Sequence, residues 1–384
     1  MSRSWRMSSL CLCALVAVGC AADRTNTAPP TRPSPADAAT APDADAPDAP
    51  DAPDADPSAA DAGADAGAPL EPLASCLSAP SPPDAPEQDW EHTRNEIVTL
   101  GSDEHTSQDT LAVTTKEARI EGKFAYGAVS KDLEDEWVEV FLDDCSGAFV
   151  KLGERLTDSD GRVAFSIAPE ALPTPGTYAV YLRVKGDQTS ARSVLRVFPE
   201  GTRLMVFDID GTLTTKDSEI FGDAIADFFE PIYSGDVVPE ARPKAAEITT
   251  ARAAQGYQLV YLTGRPYVLT RITREWLITQ GFAPGTVHVT NSNREVLPND
   301  SGVGEFKRGY LLSLKALGLE IEAAYGNAET DIFAYAGAGV PPARTYIAGE
   351  FGGDGGTQAV GDGYESHLPV AAAEPDAAQP FAWP

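Results

Sequence analysis

Two carboxylates two residues apart close a short apolar run in Phe207-Asp208-Ile209-Asp210-Gly211-Thr212-Leu213-Thr214. Alternate residues of a strand face the same way, so Asp208 and Asp210 point together as the chain leaves the strand for a glycine turn. Side by side they repel unless a cation relieves them. A bound Mg2+ does so and neutralises a phosphate at the same time, which makes Asp208 and Asp210 candidates for a metal-assisted phosphate site. Tyr261-Leu262-Thr263-Gly264-Arg265-Pro266 then offers the Thr263 hydroxyl and the Gly264 region's free amide just before a helix, an anion site for phosphate oxygens. Arg265 either reaches the substrate or pins the loop through a carboxylate, and the second reading is preferred. Lys307 opens a later helix in Glu305-Phe306-Lys307-Arg308-Gly309-Tyr310 and can steady both the nucleophile and a transferring phosphoryl group. Asn327 and Asp331 stand one helical turn apart, so their oxygens share a face and can complete the shell of an octahedral cation.

These groups need elements to hold them. From Thr202 the chain alternates short apolar runs (204–207, 259–262, 287–289, 323–325, 345–347) with helical stretches near 241–255, 267–280, 305–317 and 329–336. A further helical pattern covers Ile220 to Phe229. That order predicts an α/β fold, a Rossmann-like parallel sheet with helices on both faces, whose ligands bind at the carboxyl ends of the strands. Each candidate residue falls at such an end or at the start of the next helix.

Residues 89–199 read differently. Alternating runs at 118–126, 137–142, 163–167, 178–184 and 193–197, separated by turn residues, predict an all-β sandwich. Asp158-Ser159-Asp160-Gly161 lacks the glycine and glutamate positions of a calcium loop and is read as a hairpin turn. The four histidines, His92, His105, His288 and His367, show no ligand spacing and are read as structural or surface residues.

Residues 1–20 read as a signal peptide, with Arg3 and Arg6 ahead of a short apolar run and Ala17-Val18-Gly19-Cys20 resembling a lipoprotein cleavage box with Cys20 lipidated. The expected location is therefore an exported lipoprotein of the outer membrane, or otherwise a secreted or periplasmic protein. Residues 21–88 are rich in Ala, Pro and Asp and are expected to form a disordered, extended tether. Cys76 and Cys145 are a candidate disulfide, with two independent thiols as the alternative. The net charge of −29 argues against nucleic acid as a partner.

Taken together, the four motifs resemble the haloacid-dehalogenase superfamily of phosphatases. The resemblance implies attack by Asp208 on phosphorus, acid/base work by Asp210, phosphate held by Thr263, Gly264 and Lys307, and Mg2+ held by Asp208, the backbone carbonyl of Asp210, Asp331 and Asn327. The gaps between motifs leave room for a small cap or none, so an open site is expected over residues 200–370, followed by a tail at 371–384. Tyr325-Gly326-Asn327, Thr345-Tyr346-Ile347-Ala348-Gly349 and Asp362-Gly363-Tyr364 are more narrowly similar to the lipin-type domain that ends RdgB-type phosphatidylinositol transfer proteins. So are Gly122-Lys123-Phe124-Ala125-Tyr126-Gly127 and Gly176-Thr177-Tyr178 upstream of it. That likeness implies either hydrolysis of phosphatidic acid or phospholipid binding without hydrolysis; a phosphatase for small soluble esters is the third expectation. Retention of both Asp208 and Asp210 favours catalysis, and a lipid anchor at Cys20 would bring the site to a membrane.

Overall fold

The computed structural model describes residues 81–127, 130–215, 238–291 and 300–377. The expected signal peptide and nearly all of the tether, with Cys20 and Cys76, lie outside the described residues, as does the expected helix at 220–229. Among the described residues no helix is long and apolar enough to cross a membrane.

The N-terminal part is of all-β type, with one short helix (Thr93–Val98) ahead of its strands. Its strands are β1 (Thr106–Ser107), β2 (Thr110–Val113), β3 (Ala118–Lys123), β4 (Ala125–Tyr126), β5 (Lys131–Asp132), β6 (Trp137–Asp143), β7 (Val150–Leu156), β8 (Arg162–Ile167), β9 (Gly176–Val184) and β10 (Ser190–Phe198). One sheet runs β1-β3-β8, a second runs β2-β10-β9-β6-β7, and β4 pairs with β5. Alternation decides which side chains meet. Ile120, Phe165 and Ile167 of the first sheet share a core with Val140, Leu182 and Val197 of the second. At Gly122 the second sheet comes close, since a Cβ there would stand 2.5 Å from Leu182 Cδ1. Asp158–Gly161 is a turn, with Gly161 at φ +65°, but not the hairpin expected: β7 pairs with β6 and β8 with β3, so it carries the chain from one sheet to the other.

The second part is a six-stranded sheet of β11 (Arg203–Phe207), β12 (Gln258–Pro266), β13 (Thr286–Thr290), β14 (Glu320–Gly326), β15 (Thr345–Ala348) and β16 (Gln358–Gly361). All its pairings are parallel, in the order β13-β12-β11-β14-β15-β16. Counted from β11 this is 3-2-1-4-5-6, the doubly wound order whose chain reversal opens a crevice beside the first strand. The helices are α1 (Ala245–Ala254), α2 (Thr270–Thr279), α3 (Glu305–Ala316), α4 (Glu329–Gly337) and α5 (Leu368–Ala372).

Period-two burial sorts these helices onto two faces. Met205 and Phe207 pack with Ile248 of α1, Trp276 of α2 and Ala371 of α5. Leu204 and Val206 turn the other way, onto Leu311 and Leu314 of α3 and Ala334 of α4. Both faces of β11 are thus buried, as its unbroken apolar run demands. Residues 371–377, the described part of the expected tail, pack onto the end of α1: Gln255 donates to the carbonyls of Ala371 and Glu374, and Ala377 N donates to Gln255 O at 2.8 Å.

The β-sandwich covers the outer edge of β13. An uncovered edge strand presents unpaired amides and carbonyls. Here Gln108 Nε2 donates to Val289 O at 3.0 Å, while Val289 N donates back to Gln108 Oε1 at 3.4 Å, as a neighbouring strand would. Asp109 accepts from Val287 N (2.9 Å), Val194 N (3.0 Å) and Arg274 Nη2 (2.6 Å), tying β10, β13 and α2 through one buried carboxylate.

Candidate functional site

The site forms where β11 and β14 release the chain. Asp208 N still donates to Tyr325 O at 2.9 Å, continuing the parallel ladder one residue past β11. The backbone then folds tightly, with the amides of Thr212, Leu213 and Thr214 all directed at Ile209 O (3.2, 2.8 and 3.0 Å). Gly211 at φ +80° makes that turn possible, in a region where a Cβ would be strained.

Asp208 is buried, and so are its partners. Its Oδ1 accepts from Lys307 Nζ at 2.7 Å and its Oδ2 from Thr212 Oγ1 at 2.9 Å. Lys307, in the first turn of α3, also donates to Asp331 Oδ1 at 2.6 Å. Asp331, in the first turn of α4, uses its other oxygen to accept Asn327 N at 3.0 Å and Ala328 N at 3.3 Å, the usual place for a carboxylate at a helix N-terminus. Thr212 Oγ1 also lies 2.9 Å from Asn327 Oδ1, linking the two loops. Burial, opposed by the Lys307 ammonium and reinforced by the charges of Asp331 and Asp210, pushes the Asp208 carboxyl well above the usual carboxylate range.

Asp210 faces a different partner. Arg265 Nη2 donates to its Oδ1 at 2.8 Å and Arg265 Nε to its Oδ2 at 2.9 Å, a bidentate fork, while Thr263 Oγ1 stands 3.2 Å from Oδ2. Arg265 is fully buried. Its Nη1 donates to Thr273 Oγ1 at 3.1 Å, and its guanidinium carbon lies 5.8 Å from the centroid of the Trp276 ring. Gly264 is packed closely enough that a Cβ would meet Val303 Cγ2 at 2.9 Å.

The structure therefore brings Asp208, Asp210, Thr263, Lys307, Asn327 and Asp331 together, with Gly264 in the same loop. Among the described residues, no three Asp, Glu, His or Cys side chains are grouped closely enough to hold an ion by themselves. The Asp210 side chain is turned to Arg265, so the fit to Mg2+ rests on oxygens of Asp208, Asp331 and Asn327 with a main-chain carbonyl. That all-oxygen set matches a hard cation. The charges match too: among the described residues these three buried carboxylates are ion-paired with Lys307 and Arg265.

Cys145 is disulfide-bonded, and its expected partner, Cys76, lies outside the described residues. Sequence reasoning passed over Thr212, which lay within the first motif as a hydroxyl four residues after Asp208. It also did not assign Arg242 or Tyr364, which reach the same loop from far along the chain. Arg242 Nη2 donates to Gly211 O at 2.5 Å and Tyr364 Oη to Thr212 O at 3.1 Å.

Comparison with known proteins agrees with this two-part organisation. Residues 205–349 match the LNS2 domain of PITM 1-3, and residues 103–197 match the β-sandwich domain of PITM 1-3. Membrane-associated phosphatidylinositol transfer protein 1 of Homo sapiens is 30% identical over 290 residues, 74% of this chain and 22% of that protein. Protein retinal degeneration B of Drosophila melanogaster is 29% identical over 270 residues, 69% of this chain and 20% of that protein. The chain is homologous to these proteins over its β-sandwich and LNS2 regions, and spans about a fifth of their length. Among solved structures, the sensor domain of the anti-sigma factor RsgI4 in Pseudobacteroides cellulosolvens aligns at a TM-score of 0.21, with 13% identity over 26% of this chain and 98% of that one. That is too low to carry an argument. The expected location, an exported outer-membrane lipoprotein or otherwise a secreted or periplasmic protein, is contradicted by the relatives: those of Homo sapiens are named as membrane-associated phosphatidylinositol transfer proteins, and human and fly cells have no bacterial outer membrane. That location is withdrawn.

Proposed function

We propose that the LNS2 region is a Mg2+-dependent phosphomonoesterase working through an aspartyl-phosphate at Asp208, as its resemblance to haloacid-dehalogenase phosphatases implies. The observation that carries this reading is the buried Asp208–Lys307–Asp331 chain, with contacts of 2.7 and 2.6 Å. A structural ion pair needs one carboxylate for one lysine. Here two carboxylates share the lysine beside a third, an arrangement that favours an arriving divalent cation and a phosphate. Asp208, Asp331, Asn327 and the Asp210 carbonyl would hold Mg2+, which supplies charge neutralisation for the phosphate.

In this reading an Asp208 oxygen forms a bond to phosphorus as the ester P–O bond breaks, and Asp210 gives its proton to the departing alkoxide. Asp210 then takes a proton from water, whose oxygen attacks phosphorus and frees the Asp208 carboxylate. Lys307 stays beside the nucleophile and the transferring group throughout. Both oxygens of Asp210 accept hydrogen bonds in the fork with Arg265 and Thr263, so the proton-transfer steps need that fork to open. Phosphatidic acid is the substrate that the likeness to lipin-type domains suggests.

The same fork favours a second reading, a non-catalytic phospholipid-binding module, in which Asp210 stays closed and phosphate is held without turnover. The relatives' names as phosphatidylinositol transfer proteins are consistent with a phospholipid ligand. Acid quenching of the wild-type protein after mixing with a labelled aryl phosphate and Mg2+ tests the choice. Label on Asp208 supports the enzyme; bound but never covalent phosphate supports the module.

A further inference from the structure

We infer that Tyr364 and Arg242 are positioning residues which together brace the loop carrying Asp208 and Asp210. The Asp362-Gly363-Tyr364 segment follows β16, at the far edge of the sheet from β12. Yet the Tyr364 side chain is fully buried, and its hydroxyl donates to Thr212 O at 3.1 Å. Its amide donates to Pro243 O at 2.9 Å, next to Arg242. Arg242 closes the ring: Nη2 donates to Gly211 O at 2.5 Å and Nη1 to Asp362 O at 2.7 Å. Two successive carbonyls of the loop, at 211 and 212, are thus held by two residues whose segments are cross-linked, Tyr364 to Pro243 and Arg242 to Asp362.

The arrangement has a chemical consequence. The Thr212 carbonyl is fixed by Tyr364, and the hydroxyl of the same residue donates to Asp208 Oδ2 and lies against Asn327 Oδ1. Movement at the carbonyl would therefore reach the nucleophile through one residue. Arg242 has no carboxylate partner among the described residues; its planar guanidinium is used to join two backbone carbonyls rather than to neutralise an acid. An internal turn of this tightness needs its carbonyls satisfied once buried, and here both satisfying donors come from outside the loop. The brace fixes the aim of Asp208 while leaving its charge balance to Lys307.

This positioning role deepens the phosphatase reading, but it can be tested separately from it. Hydrogen exchange of the full chain would follow the peptide spanning 208–214 in wild type, Tyr364→Phe and Arg242→Gln. Phenylalanine keeps the ring and its packing. The brace predicts exchange about fivefold faster or more in that peptide, the scale of one lost neutral hydrogen bond. The peptide spanning 320–326 and the thermal midpoint should hardly change. Unaltered exchange at 208–214, or equal acceleration across the whole sheet, overturns the inference. Steady-state kinetics with an aryl phosphate and Mg2+ supply the second readout: Tyr364→Phe should lower kcat by more than it changes KM. Equal kcat in an active wild type overturns the positioning role. A wild type without turnover, but with faster exchange in the variant, sinks the phosphatase reading and leaves the brace standing.

Discussion

The guanidinium of Arg265 grips the carboxylate of Asp210 at two points, Nη2 to Oδ1 at 2.8 Å and Nε to Oδ2 at 2.9 Å, with both side chains out of solvent. A pair so buried is weak evidence for net stability, yet removing one partner is costly because the other charge is left uncompensated.

Arg265→Met should therefore destabilise the protein by about 3–5 kcal/mol, read from denaturant unfolding. Arg265→Lys keeps the charge but not the fork, and should recover only part of the loss. A full recovery by lysine would show that geometry plays no part in holding Asp210.

The seam between the β-sandwich and the sheet hangs on Asp109. Asp109→Ala leaves Arg274 without its carboxylate and the amides of Val194 and Val287 without an acceptor. The expected cost is about 3 kcal/mol or more, and the two parts should begin to melt separately. Calorimetry showing a single transition at the wild-type midpoint would refute this.

Three histidines give the protein a predictable acid limb. Burial lowers His288 to about 3 and lowers His105 to about 4 against the opposing charges of Asp103 and Asp187; burial, aided by Arg252 and opposed by Glu374, lowers His367 to about 4. A histidine depressed in the folded state takes up its proton first in the unfolded chain. The stability each contributes is present above about pH 6.5 and is lost as pH falls toward its folded value. His288 stacks near Phe306 and Tyr310, with centroids 5.5 and 3.6 Å away. His288→Leu should reduce the slope of stability between pH 6 and 4 by about 1.4 kcal/mol per pH unit, measured by urea unfolding at a series of pH values. An unchanged slope would mean that His288 already carries its proton in the fold.

The readable parts of this chain were those encoded locally. Buried runs such as Leu204–Phe207 and Leu259–Leu262 announced their strands because both faces of an internal parallel strand are apolar. The sixth strand, Gln358–Gly361, buries only Val360 and so gave no period to read. Strand β7 is an edge strand with charged Lys151, Glu154 and Arg155, a composition that protects edges and hides strands alike. In the site, Asp208, Thr263, Lys307 and Asp331 each sat in a short motif at a strand end or helix start. Arg265 was read as a residue that pins a loop, but the carboxylate it takes, 55 residues away, was not foreseeable from spacing. Nor was the bond from Tyr364 to Thr212, 152 residues apart. Long-range polar pairs depend on which strands become neighbours, and the order 3-2-1-4-5-6 is a property of the assembled sheet.

The central claim is that Asp208 serves as a nucleophile toward phosphate. Phosphate release by the full chain should be measured with Mg2+, on phosphatidic acid in detergent and on a small aryl phosphate, for wild type and Asp208→Asn. The account predicts Mg2+-dependent release by wild type from at least one of the two, and loss of about 10³-fold or more in the variant, a typical scale for deleting a nucleophile. No release from either substrate by folded wild-type protein, or equal release by the variant, would contradict it.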